Sequence, residues 1–253
     1  MEPGLIVAPL TPFTAGLDVD EAALRREIDY VVSDCRATMV VAAGVETQEY
    51  TYLSLEQRKA LIRHTIECVD DRVPVMVGIS HPSFKTAIEL AHFAESLGAA
   101  AVQLLAPLRP FAGPPTQADL VAYFEAVRRE SSLPITLYLN PGPGADASIA
   151  DTIALAKLPG VALIKESSRD LARVSRLIVE IDRAGHARYF TTMQMLLATL
   201  ELGAPARPCR RRPARSRGTS SMPSWPKIMN VPRRCNCSLR SSRRNGCIAD
   251  SLP

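Results

Sequence analysis

Short apolar runs recur along the first 204 residues and are separated by longer stretches in which apolar residues follow a helical period. Seven such runs begin at Leu5, Thr38, Pro74, Ala100, Pro134, Val161 and Arg188. Runs that are apolar almost throughout are typical of parallel strands buried on both faces. The pattern therefore predicts an α/β protein built from about seven βα units.

Local signals mark where the predicted helices begin and end. The pair Ser54/Gln57 resembles a capping box, and the pairs Thr116/Asp119 and Ser148/Asp151 place an acid near the positive end of a helix dipole. Glycines stand where three helices should stop before the next strand, at Gly98, Gly160 and Gly185. These signals agree with the strand positions, so the βα repeat rests on two independent kinds of evidence.

Two architectures share this alternation of strands and helices. A doubly wound open sheet usually carries a glycine-rich phosphate turn after its first strand, but this chain reads "APLTPFTAG" there. The strands also start at regular intervals of 26 to 36 residues, with no large insertion. We therefore favour a (β/α)8 TIM barrel, in which the chemistry lies at the C-terminal ends of the strands.

Lys165 and Tyr138 are the candidate catalytic residues at those strand ends. Lys165 ends the run "VALIK", and an amine held against apolar walls is disfavoured in its charged form and so becomes more nucleophilic. The alternative is a surface lysine at a strand exit. The chain has only five lysines against 25 arginines, so most of its basic positions carry a residue that stays protonated and cannot form an imine. A lysine at this strand end therefore favours a chemical role. Tyr138 ends the preceding strand and is either a proton donor and acceptor at the same mouth or an ordinary core tyrosine.

The second strand is followed by a polar loop that contains Glu46, Thr47 and Glu49. Hydroxyl and backbone N–H groups in such a loop suit a substrate carboxylate. A solvated loop with no binding role explains the same residues equally well. Thr47 and Glu46 are the candidate substrate-binding residues.

Four segments of the chain together resemble a known family. In order and spacing, "APLTPF", "VETQEYTYLSLEQR", "LYLNP" and "LIKESS" are similar to the dihydrodipicolinate synthase and N-acetylneuraminate lyase family of class I aldolases, over residues 4 to about 204. The resemblance implies a lyase or aldolase in which Lys165 forms a Schiff base with pyruvate or a related 2-oxo acid, and an aldehyde is the second substrate. It also implies that Tyr138 relays protons and that Thr47 with its neighbours holds the carboxylate. Such enzymes need no cofactor and are often homotetramers.

Three departures from the family pattern concern the proton relay and the second substrate. Glu46 stands where the family has the first threonine of the relay, and Leu108 and Arg109 stand where a neighbouring subunit usually supplies a tyrosine. Residues 142–144, Gly-Pro-Gly, replace the arginine that binds the second substrate's carboxylate in synthases of the lysine pathway. The departures predict a 2-oxo acid lyase or aldolase that is not a true dihydrodipicolinate synthase.

The pattern of strands and helices stops near residue 204, which predicts a barrel domain over residues 1–204 and a separate tail over 205–253. The tail contains eleven arginines, one lysine and one acid, a net charge of +11, so residues 1–204 carry −7 of the total charge of +4. Arginine, proline, serine and cysteine dominate it, and we expect it to be disordered. Translation out of frame after about residue 204 explains the abrupt change best, and the barrel is then incomplete.

Two further readings remain open for such a chain. The protein is either a catalytically inactive barrel remnant, or it binds nucleic acid or another acidic surface through the tail. The tail lacks the interleaved aromatic residues of nucleic-acid modules, so nucleic acid is the less favoured partner. The four histidines make no ligand spacing with cysteine or acid, so no metal site is predicted. With no basic leader and no apolar run near the roughly 18 residues of a membrane span, we expect a cytoplasmic protein.

Overall fold

The computed structural model of the chain describes residues 4–44, 52–108, 113–141 and 144–203, together with the backbone of residues 210–212. The chain divides after Ala214, and every element described below belongs to the part before that residue. Among the helices within these ranges, none has both the length and the apolar character that crossing a bilayer requires.

The strands of the described residues form one parallel sheet. They are β1 (Ile6–Pro9), β2 (Met39–Ala42), β3 (Val75–Gly78), β4 (Ala101–Leu105), β5 (Ile135–Leu139), β6 (Val161–Glu166), β7 (Arg188–Phe190) and β8 (Arg210–Arg212). Neighbours in the sheet follow the order β7-β6-β5-β4-β3-β2-β1-β8. Consecutive strands are thus adjacent from β1 to β7, as in a (β/α) barrel.

Helices follow the strands in regular alternation. They are α1 (Glu21–Asp29), α2 (Leu55–Val69), α3 (Phe84–Ser96), α4 (Gln117–Glu130), α5 (Ile149–Ala156), α6 (Leu171–Leu177) and α7 (Leu196–Glu201). Helix α1 continues into a π-helical segment at Tyr30–Asp34, and α6 continues into another at Ile178–Asp182. A short 3-10 helix at Met193–Met195 precedes α7. The predicted βα repeat is confirmed, and the seven strands with their helices form an incomplete TIM barrel.

The predicted helix boundaries are also confirmed. Full capping boxes, in which side chain and backbone satisfy each other at the N-terminus, occur at Ser54, Thr116 and Ser148. Gly98 and Gly160, which end two helical segments before the next strand, have φ angles of 74° and 89°. Because that region is strained for residues with a Cβ, glycine is the residue that allows the chain to turn there.

The sheet separates two apolar layers. One layer fills the space between the sheet and the helices, and a smaller one lies inside the barrel and consists of Ile6, Ala8, Met39, Val41, Met76, Ala101, Leu163 and Phe190. Side chains alternate between the two faces of a strand, so Leu163 and Lys165 of β6 point to the same interior. Glu166, the next residue, points to the helices instead.

The strand β8 differs from the expectation for the region after residue 204. It pairs in parallel with β1, with Val7 opposite Arg210 and Pro9 opposite Arg212. Composition did not predict it, because pairing with an open edge uses backbone N–H and C=O groups and needs no apolar pattern. Within the described part of the chain no pairing joins β7 to β8, so the barrel remains incomplete there.

Candidate active site

Lys165 and Tyr138 meet at the C-terminal ends of neighbouring strands. They lie opposite each other in the register between β5 and β6. The Lys165 Nζ atom lies 4.0 Å from the centroid of the Tyr138 ring. Both side chains are almost completely buried, Lys165 with 5% and Tyr138 with 1% of its surface exposed. The sequence prediction that these two residues face one mouth is therefore consistent with the placement seen here.

The lysine side chain stands on a tightly packed barrel interior. A gap of only about 10 Å³ lies beneath it, lined by Ile6, Met76, Gln103, Thr136, Phe190 and Lys165 itself. Such a gap holds at most about one water molecule. Access to the Lys165 amine is from the opposite side, where the strands end.

An open cavity of about 410 Å³ lies above the amine. It is lined by Tyr138, Asn140, Lys165, Ser167, Arg169, Thr192, Met193 and Gln194. This volume lies within the roughly 300–1,000 Å³ of small-molecule sites, and its lining is rich in hydrogen-bonding groups. A ligand of a few carbon atoms with polar substituents can therefore reach the Lys165 amine.

Sequence reasoning missed most of the polar residues in this cavity. Asn140 is the first residue after β5, Ser167 is the first after β6, and Thr192 follows β7 by two positions. Residues that directly follow barrel strands line the mouth, so their positions in the chain could have indicated them. The signal was weak because Asn, Ser and Thr are also common in ordinary turns.

An ion pair on the outer face of β6 fixes the strand end that carries Lys165. Arg173 of α6 donates from Nε to Glu166 Oε2 at 3.0 Å and from its two other nitrogens to Ala147 O at 2.9 Å and Thr152 Oγ1 at 3.1 Å. The second carboxylate oxygen of Glu166 accepts from Ser168 N at 2.8 Å. Glu166 is thus tied to α6 and, through Arg173, to α5, which holds the end of β6 that carries Lys165.

A second phenol lies close to this ion pair but outside the cavity lining. Burial raises the pKa of Tyr189 well above its usual value, and the negative charge of Glu166 raises it further. The Tyr189 side chain therefore stays a neutral phenol at physiological pH. Tyr138 is the tyrosine that lines the open cavity beside Lys165.

Some predicted site residues lie outside the described residues. Glu46 and Thr47 belong to the segment 45–51, and Arg109, Gly142 and Pro143 are also outside the described ranges. Their proposed roles therefore stay predictions.

Gly144, which is described, is closely packed. A Cβ at this position would lie 2.7 Å from Leu105 Cγ and 2.8 Å from Ala106 O. Larger side chains at residue 144 are excluded unless the neighbouring strand end moves. The described residues contain no group of three or more His, Cys, Asp or Glu side chains arranged to hold a metal ion.

The fold is that of an aldolase-type (β/α) barrel, with a lysine and a tyrosine buried at the C-terminal ends of adjacent strands. The chain belongs to the Dihydrodipicolinate synthetase family, whose model matches residues 1–207. This membership confirms the resemblance seen in the sequence. The family is one of lyases and aldolases.

Individual relatives agree with this assignment. The 4-hydroxy-tetrahydrodipicolinate synthase of Bacillus subtilis is 38% identical over 176 residues, which are 68% of this chain and 59% of the relative. A dihydrodipicolinate synthase from Acinetobacter baumannii, solved in complex with pyruvate, superposes with a TM-score of 0.74 at 28% identity, covering 83% of this chain and 70% of that one. N-acetylneuraminate lyase from Mycoplasma synoviae shares the fold, with a TM-score of 0.70 at 21% identity over 81% and 68% of the two chains. The chain spans about three fifths of the length of the curated relatives it matches.

Proposed function

We propose that this protein is a lyase or aldolase that forms an imine between Lys165 and a pyruvate-type 2-oxo acid. The observation that carries the proposal is a buried amine, packed against the face of Tyr138, at the base of a polar cavity of about 410 Å³. The complex of the Acinetobacter baumannii relative with pyruvate supports the class of substrate.

Imine formation uses the groups that meet at this mouth. The Lys165 amine attacks the C2 carbonyl carbon of the 2-oxo acid and gives a carbinolamine, which loses water to leave a C=N bond to Nζ. The attack requires the neutral form of the amine, whose lone pair makes the new bond. The protonated imine then withdraws electrons from C3, where a carbon–carbon bond to an aldehyde is formed or broken.

Tyr138 is proposed as the acid–base group for these steps. Water leaves the carbinolamine only if its hydroxyl gains a proton, and a phenol in contact with the lysine is suitably placed to donate one and later recover it. Tyr138→Phe keeps the ring packing and removes only the hydroxyl. We expect this variant to bind pyruvate but to form the imine at least about tenfold more slowly, in line with the loss of a general acid.

Thr47, with the backbone N–H groups of its neighbours including Glu46, is proposed to bind the 2-oxo acid carboxylate. Their place after β2 suits this role because the loop between β2 and α2 follows a strand of the same sheet, at its C-terminal end. Thr47→Val, which removes the hydroxyl at nearly constant volume, should weaken pyruvate binding without abolishing trapping at Lys165.

We further propose that L-aspartate semialdehyde is a poor second substrate. Residues 142–144 carry Gly-Pro-Gly instead of an arginine, and the close packing of Gly144 against β4 leaves no space for a long side chain there. A rate of dihydrodipicolinate formation comparable to that of an authentic synthase would contradict this part of the proposal.

The central test is reductive trapping of the imine. Incubation with pyruvate and sodium borohydride delivers hydride to the imine carbon and leaves a stable secondary amine, which peptide mass spectrometry locates. We expect the modification at Lys165 and its loss in Lys165→Arg, because a guanidinium stays protonated. Lys157→Arg is the matched control, since this exposed lysine follows α5 outside the cavity. Modification at Lys157 or Lys85 in folded protein, with Lys165 unmodified, would refute the assignment.

A further inference from the structure

Arg169 places a positive charge at the cavity that contains the Lys165 amine. It follows β6 by three positions and lines the same cavity. Its side chain is exposed and makes no hydrogen bond or ion pair in the parts of the chain that the structure describes. The guanidinium is therefore available to a ligand in the cavity.

Within the part of the chain that the structure describes, no carboxylate pairs with this arginine. Glu166 is held by Arg173 on the other side of β6, and Asp170 accepts hydrogen bonds from backbone N–H groups at the start of α6. The residues that line the cavity include Lys165 and Arg169 but neither aspartate nor glutamate. The cavity walls, as far as the structure describes them, therefore carry the charge of Arg169 without a carboxylate beside it.

A buried hydroxyl after the neighbouring strand β7 also points to a ligand. Thr192 Oγ1, which follows β7, is buried and has no hydrogen-bond partner among the described residues. A buried polar atom without a partner is costly, so such atoms are usually paired with solvent or with a bound molecule. Gln194, two positions after Thr192, lines the same cavity and adds a neutral amide with both a donor and an acceptor.

We infer that Arg169 binds a second anionic group of the substrate, remote from the carbon that forms the imine. The preferred 2-oxo acid then carries a terminal carboxylate at the end of a short chain, with Thr192 and Gln194 contacting the polar atoms between. This inference rests on the proposed imine chemistry of Lys165. It assigns a carboxylate-binding role to the loop after β6.

Two 2-oxo acids of equal length test the inference without requiring a complete catalytic cycle. 2-Oxoadipate and 2-oxohexanoate have the same six-carbon chain and differ only in the terminal group, a carboxylate or a methyl. The concentration of each that gives half-maximal borohydride trapping at Lys165 is measured in the wild type and in Arg169→Gln. A charge-assisted hydrogen bond changes affinity by roughly 10- to 100-fold, so we expect a preference of that size for 2-oxoadipate in the wild type.

In Arg169→Gln this preference should fall to within about threefold. Arg129→Gln is the matched control, because Arg129 is an exposed arginine of α4 that pairs with Glu125 away from the cavity. Equal half-maximal concentrations for the two acids in a wild type that traps pyruvate would refute the inference alone. A preference that persists in Arg169→Gln would refute it as well. Failure of the wild type to trap pyruvate at all would instead refute the proposed function and, with it, this inference.

Discussion

Replacing Arg173 by methionine tests whether the ion pair behind β6 holds the strand that carries Lys165. Methionine keeps much of the apolar stem of arginine and removes the guanidinium. Glu166 Oε2, Ala147 O and Thr152 Oγ1 then each lose the donor that now lies 2.9 to 3.1 Å away. The carboxylate of Glu166, in a side chain that is 1% exposed, is left without its counter-charge.

The expected cost follows from this burial. Arg173 is 15% exposed and Glu166 almost completely buried, so solvent screens the pair only weakly. Removing one partner of such a pair typically costs about 3–5 kcal/mol, because the remaining charge is not compensated. Since folded domains are stable by only about 5–15 kcal/mol, the variant should lose a large share of its free energy of unfolding.

Urea unfolding of three variants measures this cost. Arg173→Met should lower the midpoint strongly, whereas Arg176→Met, which breaks the exposed pair with Glu180 one turn further on, should cost less than about 1 kcal/mol. Combining Arg173→Met with Glu166→Leu removes both charges and should restore much of the loss. The reasoning is wrong if Arg173→Met costs no more than Arg176→Met, or if the double variant is no more stable than the single one.

Two further outcomes concern helix capping and the end of the sheet. Ser148→Ala removes the cap of α5 and should cost about 1 kcal/mol near neutral pH. The Ser148 hydroxyl donates to the Asp151 carboxylate and is the main cause that lowers the pKa of Asp151. The stabilisation from this hydrogen bond is present above pH 3.8, the ordinary pKa of the carboxyl group, and is lost as the pH falls through the lowered pKa. Urea midpoints should therefore converge on acidification, and a constant difference down to about pH 2 would contradict the assignment. Truncation after Ala214 should leave the urea midpoint unchanged. Truncation after Ala204 also deletes β8, which pairs with β1, and should lower the midpoint. Equal midpoints for the two truncated proteins would mean that β8 contributes nothing to stability.

The amino-acid sequence by itself determined the barrel class, the order of its units and the pair of residues at the mouth. Capping at Ser54, Thr116 and Ser148 and the turns at Gly98 and Gly160 depend on contacts within a few residues, so local patterns reported them correctly. The continuous apolar runs required strands covered on both faces. The meeting of Lys165 and Tyr138 followed because neighbouring units of a barrel end at the same mouth.

Only the tertiary structure decided which other groups share that mouth and what holds them. The Glu166–Arg173 pair joins residues whose side chains give no periodic signal, and its partners Ala147 and Thr152 come from another unit. The proximity of Thr192 and Arg169 depends on the register and curvature of β6 and β7, which are set by packing between units. Strand β8 depends on backbone groups that every residue possesses, so its side chains did not predict it. Contacts between different units are established only when the sheet curls, and that step brings Thr192 to the cavity of Lys165.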